Sequence, residues 1–345
     1  MKTKFLFIGI TVLIMQSGSS FAALRPGEGI VLDPITGNYT ATYWDEDETG
    51  GELDTAVLVP STKIDPVLTS SFKLQDKWNV AYRYRIANGA KAKQVIDSIE
   101  FVFSAGIVGS ESLSSGDFVD PRVLSTPLNW SGAAAKNLNG MVLGWDYPNT
   151  NFDITLGIKP GMNLSGFGFL SNDLPGINNA QLQGNVDSVH FKVHGEGPND
   201  KVTDIAKQMW QLEKNNFVPR PAAVPTIAIP SPFDPAVTLE RIQAHMHTWI
   251  GMQLLDAAFS SQLDRYLAAA ADAYRRNQPK AGKDHLATLR KMLKKEQPDA
   301  DKEDDNDDKG DDRNAKSTLI DKLAARILDF DLKYVMKRMG GDKDD

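Results

Sequence analysis

The chain has 345 residues, no cysteine and a formal net charge of −7 at pH 7. The absence of cysteine excludes thiol nucleophiles, zinc–thiolate sites and iron–sulfur clusters, so burial alone must hold the fold together. Residues 299–312 contain nine carboxylates and two lysines, which equals the charge of the whole chain. The remainder is therefore near neutral and lacks the basic surface of a nucleic-acid-binding protein, so we expect no nucleic-acid partner.

Residues 1–22 are typical of an export signal peptide. Lys2 and Lys4 precede the apolar run 5–15, and residues 20–22 place small side chains before a cleavage point ahead of Ala23. The apolar run is too short to span a bilayer comfortably. We predict an exported protein, periplasmic or extracellular, with no transmembrane segment in the mature chain. Retention as an uncleaved N-terminal anchor is the alternative.

Residues 28–196 have the two-residue hydrophobic period of β-strands, separated by clusters of Gly, Pro, Asn and Asp. In the stretch "WNVAYRYRIAN" the apolar positions of one face are Trp78, Val80, Tyr82, Tyr84 and Ile86. Short strands at this spacing, without intervening helices, favour an antiparallel β-sandwich.

The passage "IKPGMNLSGFGFLSNDLPG", residues 158–176, resembles a strand–turn–strand passage in β-sandwich domains of secreted bacterial proteins. The resemblance implies a turn at Pro160-Gly161 and inward packing of Phe167 and Phe169. We expect this passage to serve packing, with no residue that acts as acid, base or nucleophile.

Residues 199–217 change to a helical period, which predicts one helix. The next segment, residues 218–235, contains six prolines and is interpreted as a semi-extended linker between two domains. From residue 236 to 339 the pattern is helical throughout, with four amphipathic stripes that must pack on one another as a small bundle. An acidic loop, 297–314, lies between the third and fourth helices. The predicted fold class is therefore α+β and multidomain, an antiparallel β-sandwich followed by a small α-helical bundle.

The stretch "QLDRYLAAAADAYRRNQPKAGKDHLATLRKML" is similar to the FIMAH-type helical module of secreted bacterial and archaeal proteins. Matching positions are Leu263, Leu267, Asn277 (usually Gly), Ala281, Leu286, Leu289 and Leu293. The resemblance covers residues 239–335 and departs where the acidic run replaces a short Gly-Lys turn. It implies an exported, multidomain context, and the family offers no established catalytic role to carry over.

Candidate catalytic residues are few. His245 and His247 are two positions apart on a predicted helix and cannot share a metal. No serine lies in a nucleophile-elbow motif. The acidic group 45–48 follows Trp44, and it is read either as a charged hairpin end or as a calcium or sugar site with Trp44 as a stacking platform.

The acidic run matches the EF-hand template in none of its registers, so we reject an EF-hand. The segment "DDNDDKGDD" weakly resembles the calcium repeats of thrombospondin type 3. This resemblance implies a calcium site at Asp305, Asp307 and Asp311, although Asp308 stands where the family has a glycine. A solvated, flexible spacer without calcium is the alternative.

Two functions remain open at this stage. The first is an exported, non-catalytic protein whose sandwich recognises a surface, a polysaccharide or a protein ligand. The second is a secreted, carbohydrate-active hydrolase, whose two carboxylates would meet only in the folded chain.

Overall fold

The computed structural model describes residues 26–45, 52–111, 113–138, 140–147, 156–185, 208, 211–213, 215–298 and 319–339. The chain divides into two compact units, one of residues 1–58 and 189–212, the other of residues 59–188 and 213–345. The predicted signal peptide and most of the predicted helix 199–217 lie outside the described residues.

The first unit contains a three-stranded antiparallel sheet. Its strands are β1 (Gly29–Leu32), β2 (Tyr39–Asp45) and β3 (Glu52–Leu58), with β2 in the centre. Alternate residues of β2 and β3 form a small buried cluster, of which Tyr43 is fully buried. This face follows from the two-residue period of the strands.

Among its described residues, the second unit contains two further antiparallel sheets, four α-helices and a short 3-10 helix, Pro121–Val123. The three-stranded sheet has the order β4-β5-β9, and the five-stranded sheet has the order β11-β10-β6-β8-β7. The strands are β4 (Pro66–Leu74), β5 (Val80–Asn88), β6 (Ile96–Phe103), β7 (Ser131–Asn137), β8 (Gly140–Asp146), β9 (Asn163–Ser171), β10 (Leu174–Gly184) and β11 (Val218–Ile227). The helices are α1 (Pro235–Gly251), α2 (Ala257–Arg275), α3 (Pro279–Glu296) and α4 (Lys322–Met339). The predicted fold class, α+β with an antiparallel sandwich followed by helices, is confirmed.

Aromatic side chains fill the space between the two sheets. The rings of Tyr84 and Phe101 are 4.6 Å apart, and Trp145 meets Phe101 edge-on at 5.9 Å. Phe167, from the passage 158–176, is fully buried in the same cluster, as expected. Such large apolar surfaces dominate the stability of a sandwich core.

Trp78 is the exception to the predicted inward face of its strand. It lies before β5 begins and its side chain is 52% exposed, whereas Tyr82, Tyr84 and Ile86 are buried. The guanidinium of Arg338 lies 4.5 Å from the Trp78 ring centre. The indole thus contacts the end of α4 and takes no part in the sandwich core.

The segment 218–227 differs from the predicted proline-rich linker, because it forms strand β11 paired with β10. β11 lies at the edge of its sheet, and Pro219, Pro221 and Pro225 occupy alternate positions. Backbone groups of alternate residues point to the same side of a strand, so these prolines lack N–H groups only on the side away from β10. Proline is therefore compatible with an edge strand at these positions.

β11 also joins the sandwich to the helices. Ala222 and Val224 belong to the sandwich core, whereas Ala223 and Ile227 belong to the core of the four helices. The strand thus buries its two faces in two different cores. Helices α1 and α4 consequently pack directly on strands β10 and β11 instead of following a spacer.

The helices begin where the sequence supplies caps. Asp234 and Asp256 accept hydrogen bonds from backbone N–H groups in the first turns of α1 and α2. Asn277, between α2 and α3, has a φ of 57°. That left-handed conformation is one that Gly and Asn adopt more readily than other residues.

Candidate functional site

A cavity of about 330 Å³ lies at one end of the sandwich. The loop after β6, the β7–β8 hairpin and the connection from β9 to β10 form its walls. The lining residues are Ser104, Ala105, Gly106, Ile107, Ser110, Glu111, Lys136, Gly140, Met141, Asn172 and Asp173. Loops at the end of a sandwich are a common place for a ligand site, because the strands hold them rigidly.

The loop after β6 is held in shape by its own hydrogen bonds. The Ser110 hydroxyl donates to the Ile107 carbonyl (2.7 Å) and accepts from the Ile107 N–H (3.1 Å). Gly109 has a φ of 91°, and its N–H donates to the Glu111 carboxylate at 2.9 Å. The Glu111 side chain is thereby oriented at the cavity wall before any ligand arrives.

Asp173 connects the cavity to two other parts of the chain. Its Oδ2 accepts from the Gly106 N–H at 3.2 Å, and its Oδ1 accepts from the Ile229 N–H at 3.3 Å. Burial raises the pKa of the Asp173 carboxyl, against these two N–H groups and the Arg241 guanidinium, which lower it. A cavity carboxyl with a raised pKa can bind a hydroxyl group or supply a proton.

The cavity combines two carboxyls, one ammonium and one amide, from Glu111, Asp173, Lys136 and Asn172. These groups can donate to and accept from the hydroxyls of a polar ligand. The described part of the lining holds neither an aromatic side chain nor a histidine. Because Ser110 is bonded to its own loop, its hydroxyl has no general base among these residues.

Sequence reasoning missed this site. Asp173 lies inside the passage 158–176, which the sequence analysis interprets as a packing signature, so its place in the cavity lining was not predicted. The available signal was the pair Ser171 and Asp173 in a turn after a strand. The buried Ser171 hydroxyl donates to the Gly106 carbonyl at 2.6 Å and accepts from the Asp173 N–H at 3.1 Å.

Of the acidic group 45–48, the structure describes only Asp45, which ends β2. The preceding Trp44 donates its indole N–H to the Pro26 carbonyl at 3.1 Å. Tyr43 donates its hydroxyl to Asp54 at 3.2 Å. The sugar or calcium interpretation of residues 45–48 therefore stays a prediction.

The proposed calcium ligands Asp305, Asp307 and Asp311 lie outside the described residues, so the calcium site also stays a prediction. Within the described ranges, no group of three or more His, Asp or Glu side chains is placed to hold a metal ion.

The described histidines of α1 have separate polar partners. His245 Nε2 accepts from the Ile177 N–H of β10 at 2.9 Å, and burial lowers the pKa of His245 to about 4. His247 Nε2 lies 2.9 Å from the Asp264 carboxylate of α2. His245 is thus a neutral contact between helix and sheet. The histidines at 190 and 194 lie outside the described residues.

Comparisons with known proteins find no matching family model, no matching curated protein and no matching solved structure. The resemblances to the FIMAH-type module and to secreted β-sandwich domains therefore stay predictions. In the described parts of the chain, no helix is both long and apolar enough to cross a membrane.

Proposed function

We propose that the chain is an exported, non-catalytic binding protein whose β-sandwich recognises a polysaccharide through the cavity beside Asp173. The helical bundle serves as an accessory module. Among the ligands left open by the sequence (a surface, a polysaccharide or a protein), the cavity favours a polysaccharide. Its volume of about 330 Å³ lies at the lower end of the range for ligand pockets, which suits one or two sugar units.

The observation that carries this proposal is the preorganised polar wall. Glu111 and Asp173 are each held by backbone N–H groups, and Lys136 lines the same space. Fixed polar groups bind hydroxyls with little loss of conformational entropy. The buried hydroxyls of Ser110 and Ser171 hold the surrounding loop in one conformation.

The test is calorimetric titration of the full chain with neutral cello-, xylo- and manno-oligosaccharides. Glu111→Gln and Lys136→Gln are expected to weaken binding about tenfold each, because each removes one charged hydrogen bond to the ligand. Glu296→Gln, at the end of α3 outside the cavity, is the matched control and should bind like the wild type. Absence of binding to every oligosaccharide, or equal loss in the control, would contradict the proposal.

A secreted carbohydrate-active hydrolase is the second candidate. The observation that favours it is that Glu111 and Asp173 line one cavity and that the pKa of Asp173 is raised. Glycosidases use two carboxyl groups, of which the general acid stays protonated at the working pH.

Release of reducing sugar from polysaccharides separates the two functions. A hydrolase would show turnover that both Glu111→Gln and Asp173→Asn abolish. Binding with no turnover in the wild type would leave the non-catalytic function. Melting temperatures of all variants must be compared, since Asp173 also holds the Gly106 and Ile229 backbone.

A further inference from the structure

The outer face of the β4-β5-β9 sheet carries two arginines beside hydroxyl and amide side chains. Tyr82, Tyr84 and Ile86 of β5 point into the sandwich core, so Arg83 and Arg85 point to the opposite face. Strand pairing places them in rows across the sheet. These rows are Ser71–Arg83–Gly168, Thr69–Arg85–Ser165 and Val67–Ala87–Asn163.

Both guanidinium groups are bound only by neutral partners. Arg83 Nη1 donates to the Ser125 hydroxyl at 3.1 Å, and Arg85 Nε donates to the Asn163 side-chain carbonyl at 3.3 Å. In the portion of the chain described by the structure, neither forms an ion pair with a carboxylate. A guanidinium has five N–H donors, so most donors of each arginine stay available to a ligand.

Two arginines of the helices differ in this respect, whereas Arg220 and Arg241 likewise donate to backbone carbonyls. Arg290 donates to Asp329 at 2.6 Å, and Arg275 is paired with Asp272 at 3.1 Å. The three rows of the outer face contain no carboxylate, and Asp65, beside Gly89, lies at their end. The face is therefore locally basic within a chain whose net charge is −7.

A second cavity, of about 300 Å³, lies at one end of this face. Its lining residues are Val67, Thr69, Arg85, Ala87, Asn88, Gly89, Ala90, Gly161, Met162 and Asn163. Arg85 thus stands in the cavity, while Arg83 lies one repeat along the strand, roughly 7 Å away by strand geometry. The cavity shares Thr69, Arg85 and Asn163 with the rows, beside the exposed apolar side chains of Val67 and Met162.

We propose that this face binds an anionic polysaccharide, with Arg85 holding one acidic group in the cavity and Arg83 holding the next. Guanidinium binds carboxylate and sulfate groups through two parallel hydrogen bonds. Thr69, Ser165 and Asn163 supply hydroxyl and amide groups for the sugar hydroxyls between the charges. The face is separate from the cavity at Asp173, so this inference goes beyond the function proposed above.

The chemistry of the face separates a polysaccharide from other polyanions. Single-stranded nucleic acids are bound by stacking on aromatic side chains, and the three rows contain none. An acidic polypeptide would gain from apolar contacts, but the rows and the cavity lining hold only two exposed large apolar side chains, Val67 and Met162. Hydroxyl and amide groups interleaved with guanidinium match an acidic sugar chain best.

Binding of the full chain to polygalacturonate, a linear carboxylated polysaccharide, tests the inference by affinity electrophoresis. The double variant Arg83→Gln/Arg85→Gln is expected to lose about tenfold or more in affinity. Lys291→Gln/Lys295→Gln removes the same charge from exposed positions of α3 and is the matched control, expected to change affinity less than about twofold. Equal melting temperatures would show that the variants remain folded.

Three further polymers decide the ligand class. Neutral dextran should not be retarded, because the face recognises charge. Dextran sulfate bound more tightly than polygalacturonate would identify sulfate as the preferred acidic group within the proposal. Polyglutamate bound as tightly as polygalacturonate would overturn the polysaccharide inference, and so would equal affinity losses in the arginine and lysine double variants. No binding to any anionic polymer would overturn it as well.

Discussion

The sandwich and the four helices differ in whether their buried polar side chains have hydrogen-bond partners. Across the described residues between 59 and 227, the buried polar side chains have hydrogen-bond partners. In the helices, buried polar atoms without a partner occur on Trp249, Ser260, Tyr274 and Asp331. An unpartnered buried polar group costs about 1–3 kcal/mol of stability.

From this difference we expect the sandwich to be the more rigid part of the chain and the helices the more adaptable part. In the sandwich, hydrogen-bonded polar side chains are combined with packed aromatic rings, and the two proposed binding sites lie on these strands and their loops. In the helices, several polar groups are buried at a cost, so the free energy of local opening should be lower there. A binding site placed on the sandwich gains from the rigid support.

Removal of a hydrogen-bonded, buried polar side chain in the sandwich is expected to change the free energy of unfolding most. The Asn88 side chain accepts from the Asp65 N–H and donates to the carbonyls of Gln94 and Ile158. Asn88→Ala leaves these groups without partners and should lower the free energy of unfolding by about 2–4 kcal/mol. Urea denaturation measures this, with Asn178→Ala, on an exposed side chain, as the control. If Asn88→Ala and Asn178→Ala lowered the free energy of unfolding equally, the buried hydrogen bonds of the sandwich would not be the source of its stability.

The contact of His245 with β10 makes stability depend on pH. The folded pKa of about 4 lies below the unfolded value of about 6.5, so the unfolded chain binds the proton more readily. Stability is therefore lost as the pH falls from about 6.5 to about 4, by about 2–3 kcal/mol for this group.

Chemical denaturation at pH 7, 5.5 and 4 measures this loss. His245→Gln keeps an acceptor for the Ile177 N–H and does not titrate, so its stability should fall less than that of the wild type over the same range. Parallel pH profiles of wild type and variant would contradict the assignment.

Removal of a buried polar group without a hydrogen-bond partner in the helices should instead increase the free energy of unfolding. Asp331 is fully buried with both oxygens unpartnered, and burial raises its pKa well above the usual value. Asp331→Leu is expected to increase the free energy of unfolding by about 1–3 kcal/mol. The gain should be larger at pH 8 than at pH 5, because a raised folded pKa makes the wild type lose stability as the pH rises above about 3.9.

Asp329, two residues earlier on the same helix, is the matched control. It is buried and paired with Arg290 and Lys333, each at 2.6 Å. Asp329→Leu leaves these cations without their partner and should destabilise the chain. Thermal melting of Asp331→Leu and Asp329→Leu at pH 5 and pH 8 measures whether their stabilities change in opposite directions. A stability loss in Asp331→Leu would show that its carboxyl has a favourable role in the helical core.

The periodicity of the sequence was sufficient to predict much of the fold. The two-residue alternation in β5 identified Tyr82, Tyr84 and Ile86 as core residues, and the helical stripes identified Leu263, Leu286 and their neighbours. Alternation identifies a buried face because successive side chains of a strand point to opposite sides. It could not show that Trp78 contacts α4, since that contact joins residues far apart in the chain.

The proline-rich segment shows where local interpretation failed. Proline is unfavourable in most strands, so residues 218–227 were interpreted as a linker. The alternate spacing of Pro219, Pro221 and Pro225 is compatible with an edge strand, but only the pairing with β10 reveals that such an edge exists. The position of the helices on the sandwich depends on this strand.

By itself, the sequence determined the fold class, the buried face of each regular element and the lack of thiol chemistry, because these depend on local period and composition. Only the tertiary structure decided which polar groups meet. Glu111 and Asp173 come from two separate loops and Lys136 from strand β7, and Arg83 faces outward beside Ser125 because of strand pairing. Sites built from residues distant in the chain require the register of the sheets, and no local pattern encodes that register.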